Sequence, residues 1–280
     1  MRLRSLLFVP GDRPDRMEKA LRTGADALIL DLEDAVAPSA KLAAREATAR
    51  FLREQGDRQV KLFVRVNPQD SGLLEDDLTA VLDCAPDGFL LPKSEGALSV
   101  MSLAQRIGAA PILPIATETP RAIFGLGSYA EVSRHLLGLT WGAEDLPAAI
   151  GAATSREEDG RYTPPYELAR SLTLFAAHAA DVPAIETVFP AFRDLDGLAD
   201  YARRARRDGF TGVMAIHPAQ VAIINQAFTP DEDELVRARA IVAAFAARPD
   251  AGALQLEGQM IDAPHLKQAR RILQTAGEIA

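Results

Sequence analysis

Eight short apolar runs recur along the chain: SLLFV from Ser5, ALILDL from Ala27, KLFVRV from Lys61, GFLLP from Gly88, PILPIATE from Pro111, HLLGLTWG from His135, PAIETVF from Pro183 and GVMAIH from Gly212. None alternates polar with apolar positions. Each therefore predicts a strand buried on both faces, the pattern of a parallel sheet covered by helices. Between the runs lie helix-start signals: Ser39 after Pro38, Thr119 before Pro120, and Thr163 before Pro164 and Pro165. The Ala- and Arg-rich segments 41–55 and 198–209 fit an outer amphipathic layer. Strand and helix alternating in units of roughly 30 residues predict an α/β fold, a closed (β/α)8 TIM barrel over residues 1–228. The competing architecture, an open doubly wound sheet, places a Gly-rich phosphate-binding turn after its first strand, and GDRPDR is not such a turn.

The longest interval between runs separates the sixth from the seventh, which predicts a long loop over residues 146–165 at the barrel mouth. Residues 229–280 exceed what a barrel needs. They hold the acidic stretch TPDEDE, an Ala-rich helix, a Gly-containing connection and a last helix from about Pro264, and are expected to form a helical lid or docking extension.

Composition narrows the function. The chain has 280 residues, 48% hydrophobic and 25% charged, which places it among globular proteins able to bury a large core. A net charge of -8 argues against a general nucleic-acid binder. The first apolar run is too short for a leader or a membrane span. The single Cys84 excludes an intramolecular disulfide framework and a multi-cysteine zinc site. A cytoplasmic protein acting on small molecules, with neither nucleic acid nor membrane as partner, is the expectation.

In a barrel, chemistry gathers at the carboxyl ends of the strands. The polar residues there are Asp31, Glu33, Asp34, Arg65, Asn67, Lys93, Glu118, Glu144, Asp145 and His217. Glu118 and Asp145, on neighbouring strands, are candidate ligands for a hard divalent cation such as Mg2+, and Arg65 for a bidentate grip on a substrate carboxylate. Glu118 also reads as a dipole partner for the helix starting at Pro120. Lys93 is open to two readings, a Schiff base and a structural ion pair. His217 is a base, a donor or a satisfied core histidine, and Trp141 and Cys84 are expected in or near the core.

The segments RSLLFVPGDRPDRMEKA, ALILDLEDAV, LFVRVNP, GFLLPKSEG, PILPIATETPRAI, LTWGAEDL, GFTGVMAIHPAQV and GQMIDAPHLKQA resemble, over essentially the whole chain, the citrate lyase β-subunit, malyl-CoA lyase and citramalyl-CoA lyase group of the HpcH/HpaI aldolase superfamily. The resemblance implies a (β/α)8 barrel assembled as a trimer or hexamer. It also implies Mg2+ on Glu118 and Asp145, Arg65 on the keto-acid carboxylate, and Glu33 and Asp34 around the metal's waters. Asp262 matches the lid aspartate that handles the acetyl-CoA methyl proton in a neighbouring subunit's site, although Asp262-Ala263-Pro264 also reads as a helix N-cap. The implied reaction is retro-Claisen-type cleavage of a citramalyl-CoA or malyl-CoA type thioester to acetyl-CoA and a 2-keto acid such as pyruvate or glyoxylate. Three alternatives stay open. One is a citrate lyase β-subunit that takes a citryl thioester from an acyl carrier protein and yields oxaloacetate. The others are metal-dependent aldol cleavage without CoA and a non-catalytic CoA-thioester or keto-acid binding protein. Arg13, after the first strand, is a candidate contact for the CoA phosphates.

Overall fold

The computed structural model describes residues 2–56 and 59–279. Eight parallel strands lie where the apolar runs predict them: β1 (Ser5–Pro10), β2 (Ala27–Asp31), β3 (Lys61–Arg65), β4 (Gly88–Leu91), β5 (Ile112–Pro114), β6 (Leu139–Thr140), β7 (Ala184–Glu186) and β8 (Gly212–Ala215). Their order is β5-β4-β3-β2-β1-β8-β7-β6. Parallel bridges Ile112↔Leu136 and Ile115↔Thr140 join the first strand of that series to the last, so the sheet closes into a (β/α)8 barrel and the open-sheet alternative falls. Leu6, Ala27, Ile29, Phe63, Leu90, Leu113, Ile115, Ile185 and Met214 form one buried core cluster. The alternate residues Leu28, Leu30, Leu62 and Val64 are equally shielded, which is why the runs show no polar alternation.

The covering helices are α1 (Pro14–Ala20), α2 (Lys41–Glu54), α3 (Leu74–Val81), α4 (Ala97–Ile107), α5 (Pro120–Gly125), α6 (Asp145–Ile150), α7 (Pro164–Ala179), α8 (Leu195–Asp208) and α9 (Pro218–Ala227). Thr119 caps α5, its hydroxyl accepting from the Ala122 N–H at 3.2 Å, and Thr163 stands at the N-cap of α7. Ser39 is no cap. It lies inside a 3-10 turn, Pro38–Ala40, that leads into α2. The sixth strand begins later than its apolar run, because 126–135 forms a 3-10 segment ending at His135. Likewise the expected loop over 146–165 starts as helix α6 and becomes irregular only after Ile150.

Two compact units divide the chain, Leu3–Asn225 and a second from Gln226 onward. In the second, α10 (Glu232–Ala247) starts with a capping box in which Asp231 and Glu234 satisfy each other's backbone N–H. The connection to α11 (Ala263–Ala276) is a β-hairpin, β9 (Ala253–Leu256) and β10 (Gln259–Asp262), and not a plain loop between helices. Glu257 and Gly258 turn it, both at positive φ as a two-residue hairpin loop requires. Ala238, Ile241, Phe245, Ile261, Ala269 and Leu273 make a separate core there.

Candidate active site

Strand register places the first functional pair. Asp31 and Arg65 are cross-strand partners at the ends of β2 and β3. Asp31, 1% exposed, grips Arg65 through both carboxylate oxygens, Nε at 2.7 Å and Nη2 at 2.6 Å. It also accepts the N–H groups of Glu33 (2.9 Å) and Ala35 (3.1 Å), which shapes the turn that follows. Nη1 of Arg65 meets Glu33 at 2.8 Å and Asp34, exposed, at 3.8 Å. The guanidinium lies over the Phe8 ring, 4.9 Å from its centroid. Burial disfavours the charge on Arg65, yet the surrounding acids outweigh it and its pKa is raised.

Lys93 ties together the second group. Its backbone, at φ +49°, donates to Glu118 at 2.5 Å, while its ammonium reaches Glu33 at 3.2 Å and Asp145 at 3.3 Å. Glu118 is free to face Lys93 because Thr119, its neighbour, does the capping of α5. Burial pushes the Glu118 carboxyl up to about 8. The Lys93 N–H opposes that rise, and the charges of Asp145 and Glu33 add to it. Burial also raises Glu33, against Arg65 and Lys93. Lys93 itself loses solvation, but Glu33, Asp145 and Glu118 raise its pKa well above the ordinary value. A Schiff base needs a neutral amine, so these surroundings favour the ion-pair reading of Lys93.

A cavity of about 990 Å³ opens on this end of the barrel, lined among others by Asp31, Asp34, Arg65, Gly142, Asp145 and Thr187. Glu118 and Glu33 lie behind its wall, 4% and 3% exposed. Gly142 permits this packing, since a Cβ there would stand 2.7 Å from the Cγ of Glu118. Arg16 and Lys19 on α1 line the same cavity, whereas Arg13 is turned to Asp12 at 3.7 Å. His217 is exposed on the cavity rim, stacked on Phe192 with centroids 5.1 Å apart, and is not a core histidine. Trp141 and Cys84 are buried, as expected.

The donor set suits a hard divalent cation. Lys93 gathers three carboxylates, Glu33 and Asp145 through its ammonium and Glu118 through its backbone N–H, and burial together with the charges of Asp145 and Glu33 makes the ionised Glu118 costly until a cation offsets it. Among the described residues, no group of three or more His, Cys, Asp or Glu side chains is arranged to enclose a metal. Two carboxylates with water and substrate oxygens filling the other positions is the mode that Mg2+ favours.

Asp262 stands elsewhere in the chain, at the N-cap of α11 in the second unit. Its Oδ1 is 2.6 Å from Nδ1 of His265, and that hydrogen bond holds its carboxyl below the usual range.

Two contributors, Lys41 and Glu186, lie outside the strand-end residues named from the sequence, and Asp31, which is one of them, serves as the anchor of Arg65. Lys41 donates to the carbonyls of Leu32 (2.6 Å) and Glu33 (2.8 Å) and to Asn67 (2.9 Å), fixing the turn that carries Glu33. Glu186, a lone acid inside an apolar run, is wholly buried at the end of β7. That placement was the available signal.

A model of the HpcH/HpaI aldolase/citrate lyase family matches residues 4–218. The chain belongs to this family. A citrate lyase subunit beta-like protein of Mycobacterium tuberculosis is 38% identical to this family member over 274 residues, covering 97% of this chain and 95% of the relative. A (3S)-malyl-CoA thioesterase of Cereibacter sphaeroides is 35% identical, covering 99% and 95%. Among solved structures, the CitE protein of Mycobacterium tuberculosis in complex with magnesium, acetoacetate and coenzyme A superposes with a TM-score of 0.84 at 35% identity, covering 99% of each chain. Among the described residues no helix is long and apolar enough to cross a membrane.

Proposed function

We propose that this chain is a Mg2+-dependent carbon–carbon lyase that cleaves a 3-hydroxyacyl-CoA thioester of the citramalyl-CoA or malyl-CoA type to acetyl-CoA and a 2-keto acid. The observation that carries the reading is that the Asp31–Arg65 pair and Asp145 line one cavity, with Lys93 linking Asp145 to Glu33 and Glu118 behind its wall. Glu118 and Asp145 would hold the cation, with Glu33 and Asp34 beside its waters. When bound, the cation polarises the substrate's hydroxyl and carboxylate oxygens and stabilises negative charge as it develops.

The chain's own residues divide the rest of the work. Arg65, immobilised by Asp31, keeps N–H groups on both Nη atoms for the substrate carboxylate and fixes its plane. In cleavage the hydroxyl gives up its proton to solvent water as the C–O bond becomes the carbonyl of the keto acid, the bond between the carbinol carbon and the thioester's α-carbon breaks, and its electron pair passes to the α-carbon. That carbon takes a proton to become the acetyl methyl. Asp262, in the site of a neighbouring copy, delivers this proton, and in condensation removes it. Arg16 and Lys19, placed along the cavity, replace Arg13 as the cations facing the thioester's phosphates.

The test is keto-acid release from citramalyl-CoA and, separately, malyl-CoA, with Mg2+ and with a chelator, while free thiol is followed in parallel. Chelator-sensitive release without thiol supports the lyase. Thiol release would add a hydrolytic step like that named for the Cereibacter relative. No release from either substrate overturns the reading in favour of the carrier-protein citrate lyase subunit or a binding role. Glu118→Ala should abolish both Mg2+ binding and turnover, and unchanged turnover without Mg2+ would remove the metal assignment.

A further inference from the structure

The wholly buried acid at the end of β7 has no part in the chemistry above, and its contacts lead back to the cation ligands. Oε1 of Glu186 accepts the indole N–H of Trp141 at 2.5 Å and the Thr187 N–H at 3.0 Å. Oε2 accepts Nε of Arg170 at 2.6 Å, and Arg170 continues to Asp208 at 2.9 Å. One carboxylate thus joins β7, helix α7 and the residue that follows β6.

Trp141 is fully buried, its ring edge-on to Tyr162 with centroids 4.9 Å apart. Immediately after it the chain runs Gly142-Ala143-Glu144-Asp145. Gly142 is the residue whose missing Cβ leaves room for Glu118. Its other anchor is Thr117, whose hydroxyl accepts the Gly142 N–H at 3.1 Å and donates to the Gly142 carbonyl at 3.2 Å. Thr117 directly precedes Glu118. Gly142, on the short segment that leads from Trp141 to Asp145, is therefore held from both sides, by Thr117 on the Glu118 side and through the Trp141–Glu186 bond on the β7 side.

A buried ion pair seldom stabilises a fold more than an apolar pair of the same volume, whereas it does impose one orientation on its partners. We propose that Glu186 is a positioning residue that acts through the Trp141 indole to set Gly142 and Asp145 against Glu118, and so tunes cation affinity. This rests on the cation reading of Glu118 and Asp145 given above. Glu186 does not line the cavity and touches neither ligand, so its action is indirect.

The test uses the full chain and Mn2+, read by electron paramagnetic resonance, with Mg2+ competition. Trp141→Phe keeps a ring and deletes the N–H, while Glu186→Gln keeps the shape and deletes the charge. Each should weaken Mn2+ binding about tenfold, the scale typical of groups that orient metal ligands. Leu103→Ala, a truncation of a fully buried side chain on α4, is the comparison. It should lower the melting temperature and leave Mn2+ affinity alone, which is the pattern that Glu186→Gln would share if Glu186 were merely structural. Trp141 is the sole tryptophan, so its emission should shift on titration of the unsubstituted chain with Mg2+, at the same midpoint. Mn2+ affinity within twofold of the unsubstituted chain in Trp141→Phe, the milder variant, overturns the proposal alone. Failure of the unsubstituted chain to bind Mn2+ overturns it together with the cation reading.

Discussion

Glu118 in the barrel and Asp262 in the second unit are both cast in chemical roles, and their surroundings push them in opposite directions. Glu118 is buried, and the loss of water with two nearby acids carries its carboxyl up to about 8. Asp262 is partly exposed, and its hydrogen bond to His265 holds its carboxyl down. Two acids driven apart in this way take different tasks. The resting carboxylate of Asp262 is the form that removes a proton from a methyl carbon, so in the cleavage direction it must first be loaded with one. Glu118 in the cation-free chain holds a proton at neutral pH, and a cation must displace it. The barrel's acid is thus suited to hold a metal, and the second unit's acid to exchange a proton.

The sharpest break of that division is Asp262→Asn. The amide still fits beside His265, so the second unit should fold, while loss of proton transfer should lower kcat by about 10²- to 10⁴-fold. Exchange of deuterium into the acetyl-CoA methyl group should stop, and keto-acid affinity should be unchanged. Normal exchange would leave Asp262 as a helix cap only. The next effect belongs to the barrel: Arg65→Lys retains the charge and loses the fork that both Asp31 and a substrate carboxylate need. A charge-assisted hydrogen bond contributes about 1.5–3 kcal/mol, so KM for the keto acid in condensation should rise by about 10- to 100-fold. A rise below threefold would show that Arg65 serves the fold and not the substrate.

The two regions also differ in how far the sequence discloses them. All eight barrel strands are legible because each is shielded on both sides, and an apolar run is then unbroken. The strand-end rule gathers Glu33, Arg65, Lys93, Glu118 and Asp145 without geometry, since barrel topology alone puts them at one end. Who pairs with whom is not legible: Asp31 finds Arg65 through the β2–β3 register, and Lys93 reaches three acids through a left-handed backbone turn. Glu186 hides because Thr187 and Val188 prolong its run beyond the true strand end. His217, flanked by apolar residues, leaves the core because β8 stops at Ala215 and the chain turns outward. In the second unit the hairpin is four residues a side and turns on Glu257-Gly258, a pair too weak in turn character to announce it.

Gly142→Ala sharpens the barrel half of the comparison. The new methyl would stand 2.7 Å from Cγ and 3.3 Å from Cδ of Glu118, and 3.1 Å from Ile115. The Glu118 side chain is the part able to move, and its movement should weaken Mg2+ about tenfold in calorimetry, with Asp262-dependent deuterium exchange slowed only as far as Mg2+ occupancy falls. Unaltered Mg2+ affinity would mean that the ligand geometry does not depend on this close approach.

The smallest effect is one of pH, and its sign follows from Glu118. An acid with a raised pKa in the folded chain binds a proton that the unfolded chain has already released between about pH 4.5 and 8, so the cation-free protein should lose stability as pH rises through that window. Mg2+ needs the ionised form, and its binding therefore releases a proton below pH 8. Its affinity should climb about fivefold from pH 7 to 8 and less than twofold more from 8 to 9, as the ionised fraction saturates. Calorimetry in two buffers of different ionisation heat measures both the affinity and the proton released. The same series on Asp262→Asn should be superimposable, because the carboxyl of Asp262 is held low and is ionised throughout this range. A pH-independent Mg2+ affinity would show that Glu118 is ionised before the metal arrives, and would erase the contrast between the two acids.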